Sequence, residues 1–139
     1  MLNSSRDHLR EAGESYFEHM RFALIVGVLA VGAGLACVIH AIVPALCPKS
    51  CSRTVGLLQT LFADRSKLGT VSGESSGVLA FVVLIGISSL TAIATAASIG
   101  NPLIAAVVTL QAYALPLIYL VQNPGLEPLP RVMAAEILA

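Results

Sequence analysis

Charge is scarce in this sequence and tryptophan is missing. Only 12% of the 139 residues are Asp, Glu, Lys or Arg, against about 25% in a soluble domain. Hydrophobic residues make up 56%, and the mean hydropathy is +0.84. This composition places the chain in lipid. The eight basic and eight acidic side chains cancel, so no net field attracts nucleic acid, which is excluded as a partner. Aromatics are 5%. Anchoring at a membrane interface falls to a few tyrosines, Phe17, Phe22, Phe62 and flanking Arg and Lys, which is thin for a protein standing alone.

Catalytic apparatus is missing too. The chain has no Ser-His-Asp set, HExxH string or phosphate loop, and an enzyme is not expected. No Asp or Glu lies inside an expected span, which removes the usual residue of a proton relay or ion-coupled transporter. The three cysteines, Cys37, Cys47 and Cys51, form neither a zinc set nor an even disulfide framework. Cys47 and Cys51, four apart, pair in an oxidising compartment and stay reduced in cytosol. They are read here as two unpaired thiols at a helix end, and no metal site is expected.

What is present is long apolar sequence. Residues 1–21 alternate acids and bases at helical spacing, with Ser4 or Ser5 as a cap, and predict a juxtamembrane helix. Four acids precede the first apolar run, which argues against a cleaved signal peptide. From Phe22 to Pro48 there is no charge; the 25 residues 22–46 give roughly 37 Å of helix, enough to cross. Within the polar loop 47–77, residues 54–68 carry apolar side chains at helical spacing and predict an amphipathic interfacial helix. Ser72 to Gly77 reads as a flexible break. The 52 residues from Ser75 to Leu126 carry no charge. Gly100-Asn101-Pro102 divides them into a hairpin, 78–99 and 102–122.

The expected fold is therefore an all-α integral membrane protein with three transmembrane helices, a juxtamembrane helix and an interfacial helix. Its parts are 1–62, a linker 63–77, the hairpin 78–122 and a proline-rich tail 123–139 that docks or frays. Three crossings put the two ends on opposite faces. Arg6, Arg10 and Arg21 then oppose Lys49, Arg53, Arg65, Lys67 and Arg131, and this small excess leans toward a cytoplasmic middle loop and C-terminus.

Small residues recur along the first span at Ala23, Gly27, Ala30, Gly34, Cys37 and Ala41, a period of 3.5. In lipid, helices associate by close backbone approach, so the stripe reads as a packing face for another helix. Shorter stripes, Ser89, Ala92, Ala96, Gly100 and Ala105, Thr109, Ala112, mark the hairpin; a tight internal bundle would consume all three. His40 is an ionisable group within a span. With Ala36 one turn before it, His40 fits ligation of haem or bacteriochlorophyll, or a plain hydrogen bond to a backbone carbonyl, which is the preferred reading. Gln111, Tyr113 and Tyr119 surround Pro116, which kinks the helix and frees a carbonyl. That cluster suits a quinone or lipid headgroup, or contacts to a neighbouring helix and the interface.

Glu14, Tyr16, His19, Met20, Arg21, Phe22 and Ala23 enter the span, His40, Ala41 and Pro44 leave it, and Ser52, Arg53, Thr54 and Val55 follow. In these residues the chain resembles, over about 7–62, short and mainly proteobacterial membrane proteins grouped as domain of unknown function 6356. The resemblance implies residence in the bacterial inner membrane. That group has no assigned activity, so no mechanism is implied, and the hairpin lies beyond it. The expected function is a non-catalytic accessory subunit of a larger inner-membrane assembly, such as a respiratory or photosynthetic complex, with lipids and other transmembrane subunits as partners. The alternative is a subunit binding haem or bacteriochlorophyll through His40, or a quinone or lipid.

Overall fold

The structure is a computed structural model in which residue 10 and residues 13–130 are described. The juxtamembrane cap at Ser4 or Ser5 and the apolar tail 132–139 lie outside the described residues. Among the described residues all regular structure is helical. Three helices, Tyr16–Ile42, Ser76–Ser98 and Pro102–Gln122, are long and apolar enough to cross a membrane.

Helix α1, Tyr16–Ile42, starts earlier and ends earlier than the charge-free run. Ser15 caps it: its hydroxyl accepts from the Glu18 amide, and the Glu18 carboxylate accepts from the Ser15 amide at 3.0 Å. Pro44 ends it, because the residue before a proline avoids helical backbone; Val43 sits at φ −129°, ψ 91°.

The interfacial helix of the sequence reading becomes α2, Ser50–Ala63, and it does not lie apart from α1. It runs back along it. Cys51 meets Cys37 with Cα atoms 5.7 Å apart, and Phe62 meets Phe22 edge to face at 6.5 Å. Arg65, in the 3₁₀ turn Arg65–Lys67, covers the Phe22 ring at 4.5 Å and pairs with Glu14 at 2.7 Å. The middle loop thus returns to the end where α1 begins. This overturns the tally that set Arg65 and Lys67 against Arg10 and Arg21.

The expected flexible break at 72–77 is helical instead. Helix α3, Leu68–Glu74, joins α4, Ser76–Ser98, at Ser75. Ser72 and Ser75 hydroxyls donate back to Leu68 and Val71 carbonyls at 2.7 and 2.6 Å, so these turn-forming residues satisfy themselves within a helix. Because α2 has already returned, α4 runs parallel to α1: Gly32 abuts Val78 and Val82, and farther along both helices Ile39 and Ile42 share a groove with Phe81 and Ile85. A side chain on Gly32 would meet Val78, so the close approach depends on glycine there.

The hairpin turns where expected. Asn101 accepts from the Leu103 and Ile104 amides at 3.0 and 3.3 Å, and Pro102 fills the first helical position. The third span is broken at Tyr113 into α5, Pro102–Ala112, and α6, Ala114–Gln122. Pro116 has no amide hydrogen to give the Ala112 carbonyl four residues before it, and the Ser88 hydroxyl of α4 supplies one at 2.7 Å. The buried core joins Phe22, Leu29 and Ala36 of α1 to Leu61, Val71, Val78, Phe81 and Leu120.

Candidate functional site

The first candidate is the outer face of α1. All six stripe residues, Ala23, Gly27, Ala30, Gly34, Cys37 and Ala41, are exposed. A Cβ placed on Gly27 or Gly34 meets nothing within 4 Å. The helix packs internally through a different small face, Gly32, Ala33 and Ala36, buried beside Leu29. That second face went unremarked in the sequence, although its spacing is equally helical. In the hairpin, Ser89, Ala92, Ala105, Thr109 and Ala112 are half-buried, so the shorter stripes are partly consumed within the chain.

Within the stripe, Cys37 lies on the edge that meets α2. It is bonded to Cys51, and Cys47 is free and buried. The expectation of two unpaired thiols at 47 and 51 is corrected: Cys51 is four residues from Cys47, but the return of α2 sets it against Cys37. Cys47 instead turns inward at φ +53°, and burial pushes its thiol above the ordinary range.

A polar knot fastens the C-terminal segment beside this disulfide. The Cys47 amide donates to Pro124 and the Ser50 hydroxyl to Gly125, both at 2.7 Å. Arg53 pairs with the Glu127 carboxylate at 2.6 Å, and also donates to the Gly125 and Leu126 carbonyls. Leu126 is fully buried at φ +48°. Cys47 and Leu126 thus both adopt the left-handed backbone that costs an ordinary residue about 1–2 kcal/mol, at the two ends this knot joins. Leu129 completes it through the Ser76 hydroxyl at 2.8 Å. Gly77 lies so close to the Leu126 and Glu127 carbonyls that no side chain fits. The tail therefore docks on its own fold as far as residue 129.

His40 is half-buried, its Nδ1 2.9 Å from the Leu46 carbonyl, within the turn that follows α1. Ala36, expected to leave room for a flat ring, is fully buried. The third-span cluster does not converge. Gln111 is exposed, the Tyr113 hydroxyl meets Ser89 at 2.9 Å, and Tyr119 donates to the Gly77 carbonyl at 3.1 Å. Tyr113 does line a groove of about 320 Å³ with Ile39, Ile42, Phe81, Ile85 and Leu120. Its walls are wholly apolar, so the tyrosine offers its ring there and turns its hydroxyl elsewhere.

At the opposite end of α1, Glu14 accepts from Arg65 and lies 3.0 Å from His19 Nδ1. The Arg65 hydrogen bond first, and His19 second, hold its carboxyl below the ordinary range.

No curated protein and no solved structure matches this chain. Residues 3–65 match DUF6356, a family of unknown function, so the family-like part is α1 with its disulfide-tied return helix α2, and the hairpin stands outside the match.

Proposed function

We propose that this chain is a non-catalytic accessory subunit of a larger assembly in the bacterial inner membrane, respiratory or photosynthetic in kind. It packs there through the small-residue face of α1. The observation that carries this reading is the exposure of Ala23, Gly27, Ala30, Gly34 and Ala41, with open space over Gly27 and Gly34. Small residues in lipid are useful where another backbone comes close, since helix association there rests on packing rather than on expulsion from water. The internal contacts of α1 are made by Gly32, Ala33 and Ala36 and by the Cys37–Cys51 bond, which leaves the rest of the stripe for a partner. Residence in the inner membrane is supported by three apolar helices rather than strands.

The alternative, His40 as ligand of haem or bacteriochlorophyll, has less support. The space beside Ala36 is filled by protein, and the imidazole already serves the Leu46 carbonyl. An absorption spectrum without a Soret or near-infrared band sensitive to His40→Ala removes it. The groove beside Tyr113 supports lodging of a hydrocarbon chain more than recognition of a quinone carbonyl, because no polar atom lines it.

Native mass spectrometry of the gently solubilised protein tests the leading reading. Recovery with a second transmembrane polypeptide is expected, and Gly27→Leu with Gly34→Leu should release it. A lone monomer, unaltered by these substitutions, overturns it.

A further inference from the structure

We infer that α1 does not cross the bilayer. With α2 it forms a re-entrant pair whose turn, residues 43–46, ends inside the hydrocarbon, so that the hairpin alone crosses and the start of α1 lies on the same side as the knot. This goes beyond the subunit reading and does not depend on it, and it replaces the three crossings expected from sequence.

The two apolar units are staggered. Both feet of the hairpin, Ser76 and Gln122, stand at the knot, and α4 rises from there for 23 residues. That is roughly 34 Å of helix, which matches the hydrocarbon thickness of a bilayer. Gly32 abuts Val78 near the foot, and Ile42, the last residue of α1, shares its groove with Phe81 and Ile85. Beyond Ile85, α4 continues to Ser98, roughly 20 Å farther. The turn after α1 is therefore level with the middle of the hairpin, and α2 leads the chain back to the side it came from.

The turn itself suits lipid. Ile42, Val43, Pro44 and Ala45 are exposed there, and all are apolar. Irregular backbone is tolerated at that depth only where protein satisfies its polar groups. The Val43, Leu46 and Cys47 amides donate to the Ile39, Val43 and Pro124 carbonyls at 2.8, 2.9 and 2.7 Å, and Pro44 has no amide hydrogen to place. His40 Nδ1 lies 2.9 Å from the Leu46 carbonyl. The imidazole inside the apolar run thus answers a carbonyl that water does not reach.

Charge is distributed to match. Glu14, Arg21, Asp64, Arg65, Lys67 and Glu74 lie on the foot side of the hairpin, and the paired Arg53 and Glu127 lie at its feet. There the first half of α1 is covered in part by α2 and α3, through Leu61 and Val71. Among the described charges Lys49 alone stands higher; it opens the returning helix α2, and its long stem lets the ammonium reach toward the feet. A bilayer centred on α1 instead would set Arg53, Glu74 and Glu127 near its middle, where charge is most costly. It would also leave the exposed Ile93, Leu103 and Ile104 of the hairpin tip in water.

One topology follows. Tyr16, Ser66 and Glu127 share a side of the membrane, the turn at Gly100 meets the other side, and Ala45 reaches neither.

Cysteines added one at a time to the full chain test this. Each is read as labelling by a membrane-impermeant maleimide, above the signal of the parent chain, in right-side-out and in inverted membrane vesicles. Tyr16→Cys and Ser66→Cys are expected to react in the same vesicles and Gly100→Cys only in the opposite ones. Ala45→Cys should react in neither until detergent dissolves the membrane. All four positions are exposed, so the core is left intact. Tyr16→Cys and Ser66→Cys reacting in opposite vesicles, Gly100→Cys sharing their side, or Ala45→Cys reacting in intact vesicles of either kind overturns the proposal.

Discussion

Two faces of α1 carry nearly the same residues and meet opposite fates. Gly32, Ala33 and Ala36 are buried, with Val78 pressed against Gly32; Ala30, Gly34 and Ala41, within a turn or two on the same helix, are exposed. Small side chains permit close approach on either face, but only geometry contributed from elsewhere decides where it happens. Here α2 supplies it. By returning along α1 it lets α4 come in parallel on one side, and the other side is left open.

Cys37 stands at the border between these faces, and breaking it tests their separation most severely. Cys37→Ser opens a link spanning 14 residues, which for a loop of that size is worth about 3 kcal/mol. Titration with SDS, followed by helix content, should show the loss, and reductant should reproduce it in the parent chain.

Gly32→Leu is expected to follow, with a loss of about 2 kcal/mol or more from overpacking against Val78. The same titration checks it. Gly34→Leu, one turn edge away, should change fold stability by less than about 0.5 kcal/mol while weakening association with a partner helix. If both leucines unfold the chain equally, the two faces are not distinct.

Arg53→Gln lies between these in effect. It removes the pair with Glu127 and bonds to two carbonyls, a loss of about 1–2 kcal/mol, and should appear as faster proteolysis of the segment after Gln122. The smallest effect belongs to Glu14. Its carboxyl is held low by Arg65 and then His19, so its contribution is present above the ordinary carboxylate range and is lost as pH falls through the lowered value. Glu14→Gln should flatten that acid limb of a stability–pH profile and change little at neutral pH.

The charge-free runs and the Asn101-Pro102 turn made the three apolar helices legible, because hydrophobic length and proline are local signals. The kink at Pro116 was legible for the same reason, though not the Ser88 hydroxyl that answers it. The return of α2 was not. A short amphipathic helix of 14 residues reads alike whether its apolar side meets lipid or α1. The cysteine pairing and the second small face depended on that return. The knot was hidden for another reason: Arg53 and Glu127 are 74 residues apart, and no local pattern connects them.

That separation has a consequence for how the protein is made. Arg53 leaves the ribosome long before Glu127, and the Ser50, Cys47 and Ser76 groups must likewise wait for Pro124, Gly125 and Leu129. Until the last of these emerges, α1 and α2 are held by their disulfide, the Glu14–Arg65 pair and apolar packing around Phe22, Leu29, Leu61 and Phe62, without the knot. The knot thus closes only once Leu129 has been made, and a chain stopped short of it lacks the bond to Ser76.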